Sequence, residues 1–260
     1  CNTSESKEEV WSVLAQLTLY SERLDMSCHV AVAGPQKLTG QNPLKVVYVL
    51  HGLTGNEMNW IQYTQLPLWV REGNTLFILP CAARSWYTDA EYGQRYFTYV
   101  SCELPELCGK LFNISHKRED TSVMGNSMGG YGALKCAFSY PERYGMCWAF
   151  SPAGLYWDEY LEMPNCCELQ NEFRGIFGHE LRVQEKDRLP NLAGKASLTA
   201  KMPIVRMTCG TSDFLLNQNR RFAKEMRALI PDFQYEEWEG AHDWTFWNQS
   251  LERMLHEFGC

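Results

Sequence analysis

Apolar and polar residues alternate along 10–20 and again along 24–32, and the polar break Ser21-Glu22-Arg23 separates the two stretches. A period of two turns one row of side chains toward a core and the next toward solvent, so the pair predicts an antiparallel hairpin of edge strands. Beyond the breakers Gly34-Pro35 and Gly40-Gln41-Asn42-Pro43 the pattern changes to Val46-Val47-Tyr48-Val49-Leu50, an unbroken apolar run suited to a strand buried on both faces. Similar runs recur at 76–79, 122–124, 146–150 and 204–208, and an alternating strand follows at 233–238. Helical spacing fills the gaps at 60–73, 102–112, 128–140 and 219–230, with a terminal helix after the last strand. Strands alternating with helices build crossover units. The expected fold is therefore α/β, with a mostly parallel central sheet of about eight strands flanked by helices and antiparallel at its N-terminal edge.

The segment 153–201 breaks this rhythm, mixing charged and aromatic residues without a clear strand. It reads either as a partly helical surface excursion or as a small insertion covering a site, and Tyr156 and Trp157 at its base favour a pocket wall. At 260 residues the chain is expected to form one domain, 1–260, with this insertion inside it.

The sharpest chemical signal is Gly125-Asn126-Ser127-Met128-Gly129, a G-x-S-x-G sequence placed between an apolar strand and an amphipathic helix. A tight strand-to-helix turn strains the serine backbone and crowds its neighbours, which is why small residues flank it at two positions on either side. The turn exposes the hydroxyl beside the free N–H groups of a helix start. A serine needs a base, and the base needs an orienting acid. In this architecture the partners follow the serine in the order acid, then histidine, which removes His29, His51 and His116. His179 falls in the insertion and His256 on the last helix, whereas His242 sits in the loop Gly240-Ala241-His242-Asp243 at a strand end. Asp213, in the turn Cys209-Gly210-Thr211-Ser212-Asp213, is favoured as the acid over Asp243 and Asp232. Two backbone donors are needed for an oxyanion: Met128, next to the serine, and Leu53, in the glycine-rich loop His51-Gly52-Leu53-Thr54-Gly55-Asn56. His51 is read as holding that loop's shape.

Composition narrows the field mainly by exclusion. A net charge of −7 argues against nucleic acid as a partner. The eleven cysteines are scattered, with no Cys-x-x-Cys pair to suggest a zinc site, and several lie in apolar runs as small hydrophobes. That usage favours a reducing, cytoplasmic setting, while Cys1 as first residue leaves a secreted or lipid-anchored form open. No apolar run of about 18 residues exists, so no membrane span is expected, and no segment before the first strand reads as a secretory leader.

Taken together, His51 to Asn56 with Trp60, Ser85-Trp86-Tyr87-Thr88-Asp89 with Tyr92-Gly93, the elbow around Ser127, the turn around Asp213 and Gly240-Ala241-His242-Asp243-Trp244 resemble the tributyrin-esterase and feruloyl-esterase-like group of the putative esterase family. That group belongs to the α/β-hydrolase superfamily and is related to the S-formylglutathione hydrolases. The resemblance implies a serine esterase without cofactor or metal, acting on short acyl or aryl esters, with a small-molecule or carbohydrate-linked ester as partner and a homo-oligomer left open. S-formylglutathione-type thioester cleavage is the alternative, weakened because Asn126 stands where those hydrolases usually carry histidine. The aromatic residues Trp86, Tyr87, Trp157 and Trp244 are expected to bind substrate, whereas Trp247 is expected in the core.

Overall fold

A computed structural model describes residues 12–36, 42–71, 73–163, 169–199 and 201–258. The alternating stretches at the start form the hairpin β1 (Ser12–Ser21) and β2 (Met26–Pro35), with Ser21 opposite Met26 and Ser12 opposite Pro35. Val10, placed in this hairpin by its pattern, lies outside the described residues. The apolar runs become β3 (Lys45–Leu50), β4 (Thr75–Pro80), β5 (Thr121–Asn126), β6 (Met146–Phe150) and β7 (Ile204–Gly210), and the last alternating stretch is β8 (Phe233–Trp238). They make one eight-stranded sheet in the order β1-β2-β4-β3-β5-β6-β7-β8. β2 pairs antiparallel with both β1 and β4, and every pairing from β4 onward is parallel.

The helices are α1 (Asn59–Tyr63), α2 (Leu66–Trp69), α3 (Tyr96–Thr98), α4 (Leu104–Leu111), α5 (Met128–Ser139), α6 (Trp157–Leu161), α7 (Gln170–Phe177), α8 (Leu189–Ser197), α9 (Leu216–Leu229) and α10 (Trp244–Phe258). The single helix expected over 60–73 is instead α1 and α2. Pro67 explains the break, since it has no N–H to donate to a preceding turn and is tolerated only in the first turn of a new helix. Because strand side chains alternate, Val46, Tyr48 and Leu50 join Leu104, Leu134 and Phe222 on one face of the sheet. Val47 and Val49 join Trp60, Leu66, Phe246 and Leu251 on the other. The parallel strands all point their carboxyl ends to one edge, where the loops after β3, β5, β7 and β8 meet. Among the described residues no helix is long and apolar enough to cross a membrane.

The described part of the irregular segment contains α6, α7 and α8, and a buried ion pair joins it to α5. Lys135 on α5 places Nζ 2.5 Å from Asp187 Oδ1 and donates also to the Tyr87 carbonyl and Thr88 hydroxyl, both at 3.0 Å. Both side chains are almost wholly enclosed. Burial pushes the Lys135 ammonium below its ordinary value, and the Asp187 carboxylate opposes that shift. Removing one partner of such a pair leaves an uncompensated charge in the interior. Asp187→Ala is therefore expected to destabilise the protein by about 3–5 kcal/mol, read as a lower urea midpoint with unchanged slope. A loss under about 1 kcal/mol would place Lys135 in contact with water.

Candidate active site

Ser127 lies between β5 and α5 with φ +54° and ψ −117°, a backbone conformation unfavourable for a residue with a Cβ. Its surroundings enforce it. The Ser127 N–H donates to the Phe150 carbonyl at 2.9 Å, and its own carbonyl accepts from Tyr131 and Ala153 at 3.1 and 3.2 Å. Gly125 and Gly129 touch backbone to backbone: a Cβ on Gly125 would come within 2.5 Å of the Gly129 carbonyl carbon, and one on Gly129 would collide with Leu50. Along 121–130 every residue but Ser127 is buried. The strained turn thus lifts one hydroxyl out of an otherwise closed core.

The loops after β7 and β8 are fastened together. Thr211 donates to the Trp238 carbonyl at 2.9 Å and Ser212 to the Gly240 carbonyl at 2.8 Å, with Gly210 packed directly on the Gly240 backbone. This delivers Asp213 and His242 to the same point. Asp213 Oδ2 lies 2.8 Å from His242 Nδ1, and His242 Nε2 lies 2.9 Å from Ser127 Oγ. A carboxylate only accepts, so Nδ1 carries the imidazole proton and Nε2 is left to accept from the serine hydroxyl. The other Asp213 oxygen accepts the Leu215 amide at 2.8 Å. Burial pushes the Asp213 carboxyl up, but the hydrogen bond and charge of His242 and the Leu215 amide outweigh it and hold the group below its ordinary value. The two rival acids are occupied elsewhere. Asp243 Oδ1 accepts the Phe246 amide at 3.0 Å, and Asp232 lies 3.9 Å from Arg206.

A cavity of about 610 Å³ opens above Ser127 and His242. Gly52 and Leu53 form part of its wall. Behind that loop His51 is buried, with Nδ1 donating to the Gly52 carbonyl at 2.7 Å and Nε2 accepting the Ala82 amide at 2.9 Å. Burial lowers its pKa, keeping the ring neutral in this role. The structure places the four sequence-selected aromatics differently from one another. Trp244 lines the cavity. Trp86, Tyr87 and Trp157 do not: each is at most 1% exposed. Trp86 and Trp157 pack edge to face at 4.9 Å within an aromatic cluster that also holds Tyr160 and Phe173. The Tyr87 hydroxyl donates to the His51 carbonyl at 3.0 Å, one layer beneath the loop. Trp86 and Trp157 both pack on Tyr131 of α5 and fill the space beneath the insertion, where burial of a large ring is favourable. Trp247, expected in the core, is buried yet forms part of the cavity wall, as do Tyr63, Tyr160 and Phe214. Phe214 was the most legible of these, because it follows Asp213 directly and packs 4.8 Å from the His242 ring.

A family model described as putative esterase matches residues 21–258. The chain is 32% identical over 253 residues to an acetyl esterase from Caldicellulosiruptor saccharolyticus, covering 92% of this chain and 95% of that protein. It is also 32% identical over 157 residues to an S-formylglutathione hydrolase from Bos taurus, covering 50% and 54% of the two chains. In structure it resembles the substrate-bound fluorophosphonate-binding serine hydrolase F of Staphylococcus aureus, with a TM-score of 0.85, 25% identity and coverage of 94% and 97%. The elbow, the facing loops and this agreement along nearly the whole chain lead to one assignment: the protein belongs to the putative esterase family, enzymes of the α/β-hydrolase fold that cleave carboxylic esters.

Proposed function

We propose that this enzyme cleaves short-chain acyl esters, acetyl and butyryl, and aryl esters of the feruloyl kind through an acyl-enzyme on Ser127. The observation that carries this reading is the hydrogen-bonded line from Ser127 through His242 to Asp213 at the floor of an open cavity. In the first half, Ser127 Oγ bonds to the ester carbonyl carbon as His242 Nε2 takes the hydroxyl proton. Asp213 stabilises the resulting imidazolium without taking a proton itself. The carbonyl oxygen becomes an oxyanion, held by the Leu53 and Met128 amides, the latter one of the free N–H groups at the start of α5. The carbon–oxygen bond to the alcohol then breaks, and the alcohol leaves with the proton from His242. In the second half a water, losing its proton to His242, releases the acid and restores Ser127.

The wall favours compact acyl groups. A cavity of about 610 Å³ lies within the usual range for small ligands, and Tyr160, Met163 and Leu169 bound it with apolar surface. Acetyl and butyryl 4-nitrophenyl esters are expected to exceed the palmitoyl ester in kcat/KM by at least about a hundredfold, because a long chain forfeits transition-state contacts it cannot reach. Methyl ferulate is expected to be hydrolysed, and a peptide amide, with its much poorer leaving group, is expected to be inert. A palmitoyl ester or the peptide as best substrate would end the short-acyl reading. The partial match to an S-formylglutathione hydrolase supports thioester cleavage as a second reading. It takes precedence if S-formylglutathione outruns every oxygen ester by orders of magnitude.

A further inference from the structure

The charge of the cavity wall points to a substrate class. Among the described residues five aromatics line it, Tyr63, Tyr160, Phe214, Trp244 and Trp247, Asp243 is the one carboxylate in the lining, and the lining holds no lysine or arginine. Asp243 is exposed and uses Oδ1 to cap α10 through the Phe246 amide. Next to it in the chain, Trp244 packs edge to face on Trp247 at 5.1 Å and lies 5.3 Å from Tyr63, and all four residues belong to the cavity wall. Aromatic faces and a carboxylate both attract an ammonium group and both disfavour an anion. The same wall includes His242, the group that hands its proton to the departing alcohol. Residues flanking His242 therefore flank the alcohol portion of the ester.

We propose that the site prefers esters whose alcohol bears an ammonium group, held by Asp243, Trp244 and Tyr63. The proposal rests on the esterase reading of Ser127 and adds a charge preference to it. It also implies that acyl donors rich in carboxylates, glutathione thioesters among them, meet an unfavourable field.

The test compares butyrylcholine with 3,3-dimethylbutyl butyrate, which has the same shape with carbon in place of the charged nitrogen. Wild type is expected to favour butyrylcholine in kcat/KM on the order of tenfold, from a ring contact and a partly exposed carboxylate together. In Asp243→Asn, which keeps the helix cap, and in Trp244→Leu the ratio is expected to fall to about twofold or less. A wild-type ratio at or below one overturns the proposal, and so does a high ratio that neither variant lowers. A readout independent of turnover uses Ser127→Ala protein, with tryptophan fluorescence titrated by choline and by 3,3-dimethylbutanol. Choline is expected to bind more tightly, and equal binding overturns the proposal. Failure of wild type to hydrolyse either ester or any 4-nitrophenyl ester would instead remove the esterase reading beneath it.

Discussion

Ser127→Ala is expected to lower kcat/KM for 4-nitrophenyl butyrate by at least about three powers of ten while leaving the unfolding curve in place. The hydroxyl is the group aligned with His242 Nε2, at 2.9 Å, and the turn that presents it is held by backbone contacts rather than by the side chain. Alanine accepts the same left-handed backbone no worse than serine does, so the fold should not register the change. What survives in the variant is whatever the oxyanion donors and the cavity supply without a nucleophile. A variant that keeps more than about a tenth of wild-type activity would remove Ser127 from the reaction. A fluorophosphonate should label wild type and leave the variant unmarked.

The second large effect belongs to Asp213. Asp213→Asn is expected to reduce kcat by about three to four powers of ten with little change in KM, because an amide in that place no longer fixes the imidazole proton on Nδ1. The loss arises from tautomer control. Asparagine can offer an N–H to Nδ1, which moves the ring proton to Nε2 and removes the acceptor that Ser127 needs. Asn can still accept the Leu215 amide through its oxygen, so the loop between β7 and α9 is expected to stay folded. Asp232→Asn is the matched control, since that carboxylate is largely exposed and lies beside Arg206. An Asp213 variant as active as the Asp232 control would show that another group orients the imidazole.

The apolar runs were readable because a strand covered on both faces has no polar choice, and the eight strands lie within a few residues of their patterns. Chain order and position at strand ends single out Ser127, Asp213 and His242 from the sequence, and these are the residues that the structure brings into one hydrogen-bonded line. The aromatic wall was less readable for a physical reason. Sequence shows that tryptophan is large and apolar, and both a packed core and a ligand cavity suit it. Trp86 and Trp157 pack in the core on one face of the sheet, while Trp247 on α10 packs on the other and borders the cavity, a tertiary fact with no local signature. Lys135 carries a usable signal in the sequence: it is the single charged residue in the run 128–139, a helix that the structure buries from Met128 to Phe138. A lysine there requires a buried partner, and Asp187 in the insertion is that partner. The break at Pro67 was equally visible, because a proline midway through a helical pattern ends one helix or begins another.

The most direct test of Ser127 as the nucleophile is to mix the enzyme with excess 4-nitrophenyl acetate, quench with acid during turnover and map the acetyl group by peptide mass spectrometry. The account predicts acetylation of the peptide carrying Ser127, on that hydroxyl, present in wild type and missing from Ser127→Ala. Continued turnover with no acetyl-enzyme, or acetyl found on another side chain whose removal abolishes activity, would contradict it.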